Sequence, residues 1–181
     1  MNVMYEIGML FASLWMADFL SGFFHWLEDT YCTKGMPIVG KLICDPNIEH
    51  HRDPGLLVRA GTFVSRNVFQ WVACAVIFVA LLLFGWASRF WFMALLFLSF
   101  ANEVHRWNHV SRPGRWIQLI KDVGIIQSHR QHALHHKPPF DRNYCVLTSQ
   151  INPILEAIGF WRGLEWFVFR LTFIKPKRGE Q

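Results

Sequence analysis

The chain concentrates its reactive side chains in histidine. "SHRQHALHH", Ser128 to His136, holds four of the nine histidines in nine residues, and three other segments carry the rest. In "NEVHRWNH", Asn102, His105 and His109 stand at i, i+3 and i+7, so one side of a helix presents all three. "HWLED" sets His25 and Asp29 at i and i+4, with Asp18 two turns back on the same side, and in "HALHH" His132 faces the way of His135 and His136. "EHHRDP" adds the adjacent His50 and His51, whose side chains diverge on any regular element. One can then bind a metal while the other serves a second ion or supports the first. Imidazole suits zinc, copper, iron and nickel alike. Number narrows the choice: a structural zinc site takes four ligands and a catalytic one three, whereas eight imidazoles from four segments suffice for two ions with open positions. The zincin motif HExxH is absent, since Arg106 follows His105. His129 reads as a solvated side chain at an interface.

The elements that must position these histidines are apolar. From Val68, "VFQWVACAVIFVALLLFGWAS" runs without a charge for about the ~20 residues a helix needs to cross a ~30 Å hydrocarbon layer. "FWFMALLFLSFAN" follows Arg89 almost at once, which predicts a hairpin of two spans with its turn near Gly85 to Arg89. Met4 to Trp26 predicts a third span. A cleavable signal peptide is disfavoured there, because a basic leader and a small-x-small cleavage site are missing. Asp18 inside this span costs on the order of 2.5 to 3.5 kcal/mol unless it faces the bundle interior. "PILEAIGFWRGLEWFVFRLTFI", Pro153 to Ile174, gathers its charges on one side and fits an interfacial helix better than a span. The tail "KPKRGEQ" reads as loose. The expected fold is therefore an all-α integral membrane protein, one domain over residues 1–181, with about three transmembrane helices plus cytoplasmic and interfacial helices that carry a histidine-rich dinuclear metal site.

Charge sets the orientation. The net charge is +5, from 18 basic and 13 acidic residues, yet every Lys and Arg except Arg89 lies in the two histidine-bearing polar regions, Lys34 to Arg66 and Arg106 to Arg178. This is the positive-inside pattern of cytoplasmic loops rather than a nucleic-acid surface. The four cysteines, Cys32, Cys44, Cys74 and Cys145, form no CxxC pair. No disulfide framework is expected, in keeping with a reducing compartment. Trp71, Trp86, Trp91 and Trp107 read as interfacial anchors.

"DFLSGFFHWLEDT", "PIVGK", "EHHRDP", "NEVHRWNH", "HALHHKPPFDRNYC" and "INPILEAIGFWRGLE" together resemble the Kua-type lipid desaturases, in order and spacing and over most of the chain. The likeness is nearest to the plasmanylethanolamine desaturase branch. It implies that His25, His50, His51, His105, His109, His132, His135 and His136 bind metal, with Asp29 as the acidic catalytic residue of an HxxxD element; His129 stands outside the pattern. It further implies two non-haem iron ions, O2 as co-substrate, a membrane phospholipid substrate and a vinyl ether product at the sn-1 chain. "SHRQ" and "TSQIN" depart from the usual family wording without touching those positions. An unactivated C–H bond demands an oxidant that side chains cannot supply, so a metal must carry it. With no GxGxxG nucleotide fingerprint, electrons must come from a separate donor, such as cytochrome b5 or a ferredoxin. The competing functions are a diiron acyl desaturase or hydroxylase, a bis-histidine haem electron carrier, and a metal transporter. The carrier needs histidine pairs on facing spans, and the transporter needs midplane ligands, where only Asp18 is a candidate.

Overall fold

A computed structural model describes residues 2–59 and 61–177; the last four residues of the expected loose tail lie outside them. Every regular element among the described residues is helical. α1 (Val3–Tyr31) starts at Asn2, whose side chain accepts from the Met4 amide at 3.0 Å. Its buried stripe is polar, with Asp18, Ser21, His25 and Asp29 at three- and four-residue steps beyond the buried Ser13, while Phe11, Trp15, Phe24 and Leu27 are exposed. That pattern inverts the usual amphipathic helix of a water-soluble protein.

A π-helical turn over Gly40–Cys44 leads into α2 (Asp45–Arg52), followed by the single turn of α3 (Leu56–Arg59). α4 (Phe63–Leu83) begins with a capping box in which Thr62 and Ser65 bond reciprocally. Gly85, at φ 71°, turns the chain into α5 (Arg89–Leu98), where the hairpin turn was expected. α5 packs along α1, and Arg89 Nη2 meets Glu6 Oε1 at 2.9 Å to pin the far end of that pair. α1 and α4 are long and apolar enough to cross a membrane. The second span of the expected hairpin is interrupted: α5 has 10 residues, roughly 15 Å of helix, and a break at Ser99 and Phe100 separates it from α6 (Ala101–His109).

α7 (Arg115–Asp122) and α8 (His129–His135) follow, the latter capped by Ser128, which accepts from the Gln131 amide at 3.2 Å. The expected single helix near the C-terminus is two, α9 (Ile151–Ala157) and α10 (Phe160–Thr172), because Gly159 adopts φ 62° between them. Left-handed backbone ends a helix at little steric cost when the residue is glycine.

Between α8 and α9, residues 143–148 run irregularly through the centre of the molecule, and all six are buried. Buried backbone must find partners, and polar side chains supply them. Asp18 accepts from the Leu147 amide at 2.7 Å and the Thr148 hydroxyl at 2.6 Å. Asn152 brackets Cys145, accepting from its amide at 3.0 Å and donating to its carbonyl at 2.7 Å; Gln127 donates to that carbonyl at 2.7 Å. Asp18 thus faces the interior, as its cost in an apolar helix required. Two apolar clusters flank this segment, one around Leu95, Leu98 and Val104, the other around Trp26, Tyr144 and Trp161.

One expectation is corrected. Cys32 and Cys44 form a disulfide, with Cα atoms 5.4 Å apart, because the loop after α1 folds back on its end; Cys74 and Cys145 remain free and buried. A separation of 12 residues carries no pairing signature, so only the loop's path reveals it.

Candidate metal centre

Four separate elements deliver the candidate ligands to one place. α1 contributes His25 and Asp29, α2 His50 and His51, α6 His105 and His109, and α8 with its C-cap His132, His135 and His136. They divide into two groups, within each of which the ligand atoms lie inside 4.8 Å of one another. One holds His50, His105, His109, His132 and His136; the other holds His25, Asp29, His51 and His135. The adjacent pairs His50/His51 and His135/His136 are each split between groups, because neighbouring side chains on a helix point about 100° apart. His132 and His135, expected to face the same way, also part. His129 joins neither, and its Nδ1 donates to the Asn108 carbonyl at 2.5 Å.

In the five-histidine group the Nε2 atoms crowd together. His132 Nε2 is 2.7 Å from His109 Nε2 and 3.1 Å from His136 Nε2, and His50 Nε2 is 3.1 Å from His105 Nε2. A neutral imidazole nitrogen either donates one proton or offers one lone pair, so His132 cannot satisfy two such neighbours, and a cation at their centre can. Burial, then the neighbouring rings, pushes the histidines toward the neutral form that metals need. His50 falls to about 2 and His109 to about 3, while His105, His132 and His136 also lie below the usual imidazole range.

The other group is wholly buried and surrounds a carboxylate. Asp29 Oδ1 is 3.0 Å from His51 Nε2, and Asp29 Oδ2 is 3.2 Å from His135 Nε2 and 3.6 Å from His25 Nε2. At 3.0 and 3.2 Å, His51 and His135 stand within hydrogen-bonding reach of that carboxylate. Two of the three far nitrogens are committed elsewhere: His25 Nδ1 donates to the Tyr144 carbonyl at 3.0 Å and His135 Nδ1 to the Arg142 carbonyl at 2.9 Å. This fixes the tautomer and leaves Nε2 as the lone-pair end, the usual support for a metal-binding histidine. The residues therefore fit a pair of metal ions.

Sequence reasoning missed the supports. Asn47 Nδ2 donates to Asp29 Oδ1 at 2.6 Å; its place three and four residues before His50 and His51 was the available signal. The Tyr144 and Arg142 carbonyls had none, since backbone acceptors leave no mark on residue type. Glu103 was also missed. It is buried between Arg66 Nη2 at 2.8 Å and Arg106 Nε at 2.9 Å, and although burial opposes its ionisation, hydrogen bonds from Arg106 and Arg66 hold its carboxyl below the usual range.

Fold and site together define an all-helical protein whose helices assemble a histidine-rich group able to hold metal. The chain belongs to the lipid desaturase family: the lipid desaturase domain profile matches residues 14–179. It is 34% identical over 179 residues to plasmanylethanolamine desaturase 1 of Mus musculus, covering 90% of this chain and 64% of the mouse protein. A probable fatty acid desaturase of Acanthamoeba polyphaga mimivirus is 33% identical, with 91% of this chain and 83% of the viral protein covered. Plasmanylethanolamine desaturase of Myxococcus xanthus is 28% identical, over 91% of this chain and 60% of the bacterial one. The chain thus spans less than two thirds of the length of the two plasmanylethanolamine desaturases. No solved structure matches it.

Proposed function

We propose that this protein is an integral membrane desaturase that introduces a vinyl ether double bond into the sn-1 alkyl chain of an ethanolamine ether phospholipid. The observation that carries the reading is the pairing of the two ligand groups, five imidazoles beside three imidazoles and a carboxylate, in a chain of the lipid desaturase family. The 34% identity to the mouse plasmanylethanolamine desaturase supports this choice of substrate, and the 33% identity to the viral probable fatty acid desaturase makes an acyl chain the alternative.

His50, His105, His109, His132 and His136 would hold one iron, and His25, Asp29, His51 and His135 the other. Two irons with O2 supply the oxidising power that removal of two hydrogens from an alkyl chain requires. The remaining work belongs to the protein. The Tyr144 and Arg142 carbonyls orient His25 and His135, and Asn47 orients Asp29, which in this reading is a ligand. Burial of the carboxylate group excludes water from that side.

The membrane reading rests on α1 and α4 and on the exposed apolar face of α1. The histidine face is assigned to the cytoplasm, because all basic residues but Arg89 lie in the segments that carry it. The Cys32–Cys44 disulfide pulls the other way; the distribution of 18 charges outweighs one pair. Electrons come from a separate donor of the cytochrome b5 or ferredoxin type, docked on that basic face. The test is lipid analysis of cells expressing the chain or its His135→Ala variant. Vinyl ether lipid made only by the former is expected. An added hydroxyl, or a new double bond in an acyl chain, would replace this reading.

A further inference from the structure

Two apolar grooves offer room for a lipid chain, and they differ in what they lead to. One, of about 460 Å³, is lined by Trp26, Leu27, Tyr31, Leu164 and Lys177. Its Trp26 wall is backed by Trp161, stacked at 6.0 Å, then by Tyr144, whose ring lies 5.3 Å from that of His135. The four ligands behind this aromatic layer are all buried. The other, of about 440 Å³, runs between α4 and α5 and is lined by Phe63, Cys74, Phe78, Leu95, Ser99 and Phe100. Phe63 to Phe78 spans roughly 22 Å of helix, the length of a long alkyl chain. Its Phe100 end abuts α6, where His105 follows after roughly 7 Å of rise. In the group to which His105 belongs, His105, His109 and His136 are partly exposed, so this group is the more accessible to a substrate.

Charge marks the same end. Glu103 takes Arg66 Nε at 2.9 Å, Asn67 Nδ2 at 3.3 Å and Arg106 Nε at 2.9 Å, so Arg106 shares its carboxylate with a second guanidinium. Arg66 is further tied to the Gly61 carbonyl at 2.8 Å, whereas the Arg106 side chain is 24% exposed. A planar guanidinium with free terminal N–H groups is matched to a phosphate.

Resting on the function proposed above, we infer that the α4–α5 groove seats the alkyl chain of the substrate phospholipid, with its phosphate at Arg106 beside the Glu103–Arg66 pair. The chain then enters sideways between two helices, and the head group stops at the level of α6, which sets the first carbons of the chain near His105. Arg106 and the groove are thereby binding determinants, and Glu103 positions Arg106.

The test uses the detergent-purified chain and two photoreactive probes at stoichiometric concentration, a phospholipid with a diazirine in its alkyl chain and the matching alkyl glycerol ether without phosphate. Crosslinks of the phospholipid are expected on α4 and α5, within residues 71–78 and 92–100. Ala75 also lines this groove, and Ala75→Trp, which fills it, should abolish them. Arg106→Gln should weaken apparent affinity for the phospholipid about tenfold, the worth of one charge-assisted hydrogen bond, and leave that for the phosphate-free ether unchanged. Should Ala75→Trp fail to fold, Arg106→Gln and the crosslink map decide alone. Crosslinks concentrated on residues 23–31 and 164–168, or affinity that drops for Lys177→Gln and not for Arg106→Gln, would overturn the inference in favour of the other groove. Crosslinking needs no turnover, so a chain that binds lipid here yet makes no desaturated product sinks the functional reading and keeps this one.

Discussion

His132 Nε2 stands 2.7 Å from His109 Nε2, with His136 Nε2 a further neighbour at 3.1 Å. Three imidazole nitrogens from two helices, aimed at one point, make a site for a cation. His109→Ala is therefore expected to remove one of two bound metal ions and to lower turnover at least 100-fold, while circular dichroism stays that of the parent. His129→Ala, outside both groups, should stay within about twofold of parental activity. Full activity in His109→Ala would remove His109 from the ligand set.

Asn47 holds Asp29 through a 2.6 Å hydrogen bond. Loss of such a support costs roughly 10- to 100-fold in metal affinity. Asn47→Ala should show that loss in a competition titration against a chelator, with an unchanged far-ultraviolet spectrum. Affinity equal to the parent's would make the contact incidental.

Asp18 anchors the central segment through Leu147 and Thr148. Asp18→Ala leaves two buried donors without their acceptor, at about 1–3 kcal/mol each. The thermal midpoint in detergent should fall clearly, and Asp18→Asn, which can still accept one bond, should recover part of the loss. An unshifted midpoint for Asp18→Ala would contradict the anchoring role.

The metal-free protein should lose stability in acid. His50 and His109 have folded pKa values of about 2 and about 3, below the ordinary 6.5, through burial first and neighbouring histidines second. Above about pH 6.5 both the folded and unfolded chains leave them neutral and their contribution is complete. As pH falls from there toward 3, the unfolded chain takes up protons that the fold refuses, and each costs about 1.4 kcal/mol per pH unit. Denaturant midpoints measured from pH 8 to pH 5 should decline below pH 6.5; a flat profile would show that these groups are already charged in the fold.

The Cys32–Cys44 bridge ties the end of α1, near Asp29, to the start of α2, whose last turn carries His50 and His51. Protein purified without reductant and alkylated in denaturant should show two reactive thiols, those of Cys74 and Cys145, and four after reduction. Closing so short a loop stabilises by about 2–4 kcal/mol, so reductant should lower the thermal midpoint. Four reactive thiols before reduction would leave the loop untethered.

The candidate ligands were legible because metal chemistry is carried by residue type and helical spacing. His105 and His109 could be assigned to one helix side from a four-residue step alone. How nine residues divide into two groups was not, since that depends on the angle at which α8 meets α6, and spacing in one helix is silent on the next. The apolar runs located α1 and α4 for the same reason of period and length. The break at Ser99 and Phe100 was hidden in an uninterrupted apolar string, because no proline or glycine marks it; in the fold the Ser99 carbonyl accepts from Trp71 Nε1 at 3.0 Å. Residues 143–148 were hidden too: their burial is made possible by Asp18, Gln127 and Asn152, which lie far away in the chain or look like ordinary surface amides.

The central claim is that the two groups hold two ions. Elemental analysis of the purified chain, with an absorption spectrum of the same sample, tests it most directly. About two irons per chain with no Soret band are expected, falling to about one in both His109→Ala and His135→Ala, since these belong to different groups. Stoichiometric zinc, a haem spectrum, or two irons retained in both variants would contradict it.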